Sequence, residues 1–318
     1  MGVVPLNSPS VKPQGVAEQT FTHREAIAAI GEGELAALKQ AQNGPGLLRL
    51  AGHAGLLVLT GAAILWAPNW PLWCMAALLH GVLLIFLFTL EHESIHGTAF
   101  RTEALNRTIA AVAGFLVFVP ALWFRYFHFA HHRHTQDLER DPELASPKPG
   151  NPLSYGIYLT GLPYWKAEIL GIVDTARGKV GDYVPAGAAE KVVREARIHL
   201  ALYAAIGATS VGFGWTWPLA LWVVPALLGQ PFLRAYLLAE HGACPLVADM
   251  LANTRTTFTN GTVRFIAWNM PYHTAHHVLP VVPFHRLPEL TRMLEQRLLS
   301  TAGGYIEAHR QIRRSWDR

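Results

Sequence analysis

The chain is 318 residues long, with 15% charged and 51% apolar residues, a positive mean hydropathy and a formal net charge of +4. Soluble domains carry roughly 25% charge, so this composition argues against a soluble fold and for a membrane as solvent. The small net charge, with no Lys- or Arg-rich run, excludes a nucleic-acid partner.

Residues 1–46 contain no apolar core of signal-peptide length. They read as a cytoplasmic or interfacial segment, polar from Asn7 to Ala41, with a short helix around Arg24–Gln40. Four later segments are long and apolar enough to cross a bilayer, which takes about 20 residues. They run Leu47–Trp66, Leu72–Leu90, His199–Trp217 and Leu219–Leu238, forming two hairpins joined at Ala67–Pro71 and around Gly214–Pro218. Neither joint holds a Lys or Arg, whereas Arg49, Arg101, Arg107, Arg194 and Arg197 flank the other ends. That asymmetry is the positive-inside pattern and predicts cytoplasmic N- and C-termini in a multi-pass membrane protein, as in a bacterial inner membrane. Trp66, Trp70, Trp73, Trp215 and Trp217 fall where an outer aromatic belt belongs.

A fifth apolar stretch, Leu105–Trp123, is interrupted by Pro120 and flanked by histidines on both sides. If those histidines share one site the stretch cannot cross, so it reads as a re-entrant or interfacial helix. The fold class is therefore all-α, with four spanning helices, one re-entrant helix and a cytoplasmic helical cap. Residues 47–290 form the membrane domain and 291–318 a C-terminal cytoplasmic helix. On this topology Cys74 and Cys244 lie a membrane apart, so no disulfide is expected.

Eight of the sixteen histidines form three tight groups: His92 and His96, then His128, His131 and His132, then His273, His276 and His277. On a helix, positions i, i+3 and i+4 share one face, so each group can aim its imidazoles at one point. One four-coordinate zinc cannot use so many nitrogens. Two redox-active metals, each with four or five nitrogens and an open position, fit the number. His134 points about 200° around the helix from His132 and is set apart as a surface or supporting residue. His23, His53, His80, His199, His285 and His309 are isolated and carry no expected chemistry.

The spacing H-x3-H, H-x2-HH, H-x2-HH resembles the membrane fatty acid desaturase superfamily, which includes lipid and carotenoid hydroxylases, ketolases and alkane hydroxylases. The similarity extends to His134-Thr135 and Asp141-Pro-Glu after the second group, and to Asn269-Met-Pro-Tyr before the third. Ala239-Glu240-His241-Gly242 resembles the E-H-x-G element of alkane hydroxylases, which implies His241 as a ninth ligand. The resemblance implies two iron ions, O2 as co-substrate and a lipid or acyl substrate. Glu93, Asp141 and Asn269 are expected to orient ligands. Arg234, seven residues before His241, suggests function, a snorkelling side chain or a partner for Glu240.

The expected reaction is fatty acyl desaturation, with hydroxylation or ketolation of a lipid, terpenoid or other small apolar molecule as the alternative. His92-Glu93-Ser-Ile-His96 also matches the H-E-x-x-H signature of zinc metalloproteases, a reading that leaves six clustered histidines unexplained. A soluble di-iron carboxylate bundle needs two E-x-x-H pairs, and a single one is present. A metal transporter would place its ligands at the bilayer midplane. No His-Pro-Gly-Gly, cysteine cluster or G-x-G-x-x-G is present, so the expected electron source is a separate ferredoxin or similar carrier with its reductase.

Overall fold

The computed structural model describes residues 22–317. The helices in chain order are α1 (His23–Ala28), α2 (Glu32–Leu38), α3 (Asn43–Leu65), α4 (Trp70–Ile85), α5 (Leu87–Ile95), α6 (Glu103–Val117), α7 (Ala121–His134) and α8 (Pro152–Leu159). They continue as α9 (Leu162–Ala176), α10 (Ala186–Phe213), α11 (Val224–His241), α12 (Met250–Asn253), α13 (Gly261–Ile266), α14 (His273–Val278), α15 (Leu287–Leu294) and α16 (Tyr305–Arg314). A π-helical stretch, Leu219–Val223, leads into α11.

Among the described residues, three helical stretches are long and apolar enough to cross a membrane: Glu32–Leu65, Trp70–Ile95 and Leu219–His241. The bent pair α6 and α7 would add a fourth if it counted as one span. Leu48, Val58, Leu59, Trp66 and Trp70 stay exposed on α3 and at the α3–α4 joint, an apolar surface that suits lipid. The expected third span, His199–Trp217, is not among these stretches. After residues 186–189 its helix α10 carries Glu190, Lys191, Arg194, Glu195 and Arg197, and the apolar part from Ile198 to Phe213 is at the short end of what a crossing takes.

α4 and α11 meet at a glycine crossing. A Cβ on Gly81 would run into the Pro225 carbonyl, and one on Gly229 into the Gly81 carbonyl. In lipid, where burial of apolar area gives helices no reason to associate, this close backbone approach supplies the packing.

The Leu105–Trp123 stretch does break. α6 ends at Phe118, which is left-handed (φ 66°), Pro120 caps α7, and the two helices bend by 97°. Glu195 of α10 accepts hydrogen bonds from Leu122 N (3.0 Å) and Trp123 N (3.2 Å), placing a carboxylate at the positive end of α7.

Two expectations need correction. The helix around Arg24–Gln40 is two helices, α1 and α2, broken at Ala29–Gly31, where Gly31 caps α2; the polar start before Thr22 lies outside the described residues. Residues 291–318 are not one helix: α15 ends at Leu294 and α16 begins at Tyr305, after Gly303-Gly304. The fold is mostly helical, as expected, with one short parallel pairing of β1 (Thr256–Thr257) and β2 (Thr301–Ala302).

Candidate metal centre

The three histidine groups sit on three short helical segments. α5 carries His92 and ends at its cap, His96; the last turns of α7 carry His128, His131 and His132; α14 carries His273, His276 and His277. His241 closes α11. The bend between α6 and α7 returns the chain to the end of α5, so the His96 and His128 rings lie 5.0 Å apart.

The nine histidines divide five and four. Ligand nitrogens of His92, His96, His128, His132 and His276 all lie within 4.8 Å of one another, and so do those of His131, His241 and His277. His273 joins the second set, its Nε2 3.2 Å from His241 Nε2 and 3.1 Å from His277 Nε2. The sets abut where the His132 and His277 rings stack at 4.1 Å. His134 stands outside both sets.

These positions suit bound metal. Nε2 atoms face one another at 2.8 Å (His128–His132), 3.0 Å (His132–His276) and 3.2 Å (His131–His241). Two imidazoles at about 2.0–2.1 Å from one ion and at right angles are separated by about 3 Å. Both ring nitrogens of His92 and Nε2 of His96 are buried without a protein partner, a cost the fold carries unless a ligand meets them. Burial, reinforced by neighbouring histidines, holds His273, His276 and His277 well below the usual imidazole range. They are neutral at pH 7, the form that binds a metal.

The far nitrogens show what aims the rings. Asp141 accepts from His131 Nδ1 at 2.9 Å and is fixed by Gln136 N (2.8 Å) and Glu143 N (3.0 Å). Asp141 thus stands beside the far nitrogen of His131, the placement an orienting role would need. The Asn253 carbonyl accepts from His241 Nδ1 at 3.1 Å, and Thr135 Oγ1 lies 3.2 Å from His277 Nδ1. Glu240 Oε1 stands 3.4 Å from His273 Nδ1.

Glu93 and Asn269 touch no histidine nitrogen by hydrogen bond, contrary to expectation. Both hold the peptides around Phe284: Glu93 Oε1 accepts from Phe284 N (2.8 Å) and Asn269 Nδ2 donates to Phe284 O (2.9 Å). They clamp the loop after α14 onto α5. Trp268 and Asn269 are both left-handed (φ 48° and 59°), a strained turn immediately before α14. Trp268 is fully buried and packs edge-on against Phe284, which keeps that turn in place.

Arg255 went unnoticed in the sequence, where it sits in an unremarkable polar run. It is buried, donates from Nη2 to Gly242 O (2.8 Å) and from Nε to Gln311 Oε1 (3.2 Å), and its own N–H bonds Glu240 O (2.8 Å). It thus caps the α11 end that presents His241.

A cavity of about 550 Å³ opens beside the histidines, with His92, His128 and His273 in its wall. Phe88, Trp123, Phe124, Phe127, Tyr236 and Met270 make much of the rest apolar.

A profile described as Fatty acid desaturase matches residues 68–308. A sphingolipid delta(4)-desaturase of Candida albicans is 24% identical over 228 residues, covering 65% of this chain; the chain spans 58% of that relative's length. An sn-1 acyl-lipid omega-3 desaturase (ferredoxin) of Nostoc sp. is 21% identical over 266 residues, covering 76% of this chain and 72% of the relative.

Proposed function

We propose that this chain, which belongs to the fatty acid desaturase family, is a membrane di-iron enzyme that uses O2 to introduce a C=C bond into a fatty acyl lipid. The observation that carries the reading is the five-and-four division of nine histidines beside an aromatic-lined cavity. His92, His96, His128, His132 and His276 would hold one iron, and His131, His241, His273 and His277 the other. When bound, the pair supplies the O2-derived oxidising power needed to remove hydrogen from an unactivated C–H bond. Two substrate hydrogens, two electrons and two protons from outside then balance the reduction of O2 to two waters.

The chain's own residues do the positioning. Phe88, Phe124 and Met270 form an apolar wall that takes up a hydrocarbon chain and excludes water. Asp141 and the Asn253 carbonyl hold the Nδ1–H groups of His131 and His241, which fixes the tautomer and leaves Nε2 free toward the site. We assign the electrons to a ferredoxin-type carrier, the donor in the Nostoc relative's name. It would dock on the cytoplasmic face, where the charge asymmetry places both termini.

Mass spectrometry of lipids from a host expressing the gene, beside a host expressing His276→Ala, tests this reading. New unsaturated acyl lipids that vanish in the variant are expected, with about two irons per purified chain. A hydroxylated product would make the enzyme a hydroxylase. One zinc and no iron in active protein would overturn the di-iron assignment and return His92-Glu93-Ser-Ile-His96 to the protease reading.

A further inference from the structure

Arg234 lies in the wall of the same cavity, two helical turns before His241, a rise of about 10 Å along α11. Its guanidinium carbon sits 4.0 Å over the Tyr164 ring, and its Nε is buried without a hydrogen-bond partner. A ring face stabilises the charge but accepts few of a guanidinium's five N–H donors. Three acids share the wall, Glu143, Glu168 and Glu240, with Lys148 as a second cation; Glu143 Oε2 lies 3.9 Å from His131 Nδ1. Glu240 is turned to His273 at 3.4 Å. Burial pushes Glu168 up to about 7, against the pull of Arg234 and Tyr164, so near neutral pH it offsets the cation only in part. A cation on a membrane helix, stacked on a ring and without a salt bridge among the described residues, is costly unless something entering the cavity meets it.

We propose that Arg234 is a substrate-recognition residue that donates hydrogen bonds to an oxygen acceptor on the lipid. The substrate is then a chain carrying a carboxylate, ester or hydroxyl oxygen about two helical turns from the carbon that is oxidised, not a plain hydrocarbon. The inference rests on the lipid-oxidising assignment above and adds to it a polar anchor and its distance from the metals.

Equilibrium binding to the full-length protein in detergent tests it, with radiolabelled stearic acid, 1-octadecanol and octadecane as probes. At least one oxygenated probe is expected to bind about tenfold or more tighter than octadecane, the scale of a hydrogen bond to a charged group. Arg234→Met should reduce that ratio to near one while leaving octadecane affinity unchanged, which also reports an intact cavity. Arg234→Lys, which keeps the charge, should retain part of the preference. Stearic acid favoured over octadecanol assigns a carboxylate anchor; equal preference assigns a neutral oxygen. Equal affinity of all three for the unaltered protein, or a preference that survives Arg234→Met, overturns the proposal and leaves the lipid assignment standing. Failure of all three to bind overturns both.

Discussion

His241 separates two explanations of the site, because it lies outside the three spaced groups and entered through a short E-H-x-G similarity alone. Its Nε2 stands 3.2 Å from both His131 Nε2 and His273 Nε2, a position that a mere helix cap would not need. His241→Ala should therefore lower iron content and abolish turnover, whereas His134→Ala, outside both sets, should leave iron near two per chain. An iron-replete, active His241→Ala protein would reduce the centre to eight histidines. Asp141 gives a graded test. Asp141→Ala removes the acceptor from His131 Nδ1 and frees Gln136 N and Glu143 N, so metal affinity should fall about 10–100-fold. Titration with an iron chelator measures this, and unchanged retention would deny Asp141 any aiming role. The ligand spacing was legible because helical periodicity shows directly in H-x3-H and H-x2-HH. Of the partners of the far nitrogens, Asp141 was named from the sequence, but two others were not: the Asn253 carbonyl and Thr135 reach their rings through folded-back chain, and no spacing rule marks a backbone acceptor 12 residues away.

At the level of elements, three of the four expected apolar spans coincide with long apolar helices, and Pro120 marked the bend that makes a shared site feasible. Hydropathy could not reveal how closely α4 and α11 approach, because glycine in an apolar run has many uses. The Gly81–Gly229 crossing leaves no room for a methyl group on either side. Gly81→Ala and Gly229→Ala should each destabilise the protein by about 3 kcal/mol or more, since the obstacle is backbone and cannot rotate away. The double variant should cost less than the sum, because one forced separation serves both methyls. Melting temperatures in detergent check both statements, and full additivity would contradict a common contact. Two-residue strands have no detectable period, so the β1–β2 pairing was invisible in sequence. So was Arg255, whose value lies in the α11 carbonyls it reaches.

Across the whole molecule, the arrangement works because one end of the helical bundle gathers groups that are far apart in the chain. His92 and His276 come from opposite halves of the sequence, yet their ring centroids are 4.6 Å apart. This convergence constrains topology more tightly than hydropathy does. α5, α7, α11 and α14 must all present their histidines on one side, so the segment between Arg101 and Leu138 has to leave and return on that side. On the proposed topology, in which α10 crosses as well, that side is cytoplasmic and the Asn69 and Trp215 turns lie on the other. Single cysteines at Arg101 and Leu138, both exposed, should resist a membrane-impermeant thiol reagent in intact cells and react after permeabilisation. Cysteines at Asn69 and Trp215, also exposed, should react without permeabilisation. The experiment is best done in a Cys74→Ser background, since Cys74 is exposed while Cys244 is buried. If Arg101 and Leu138 labelled from opposite sides, α6 and α7 would be one broken span, and His96 and His128 could not share an ion. If all four positions labelled with inverted accessibility, the site would survive but face outward, away from any cytoplasmic electron carrier.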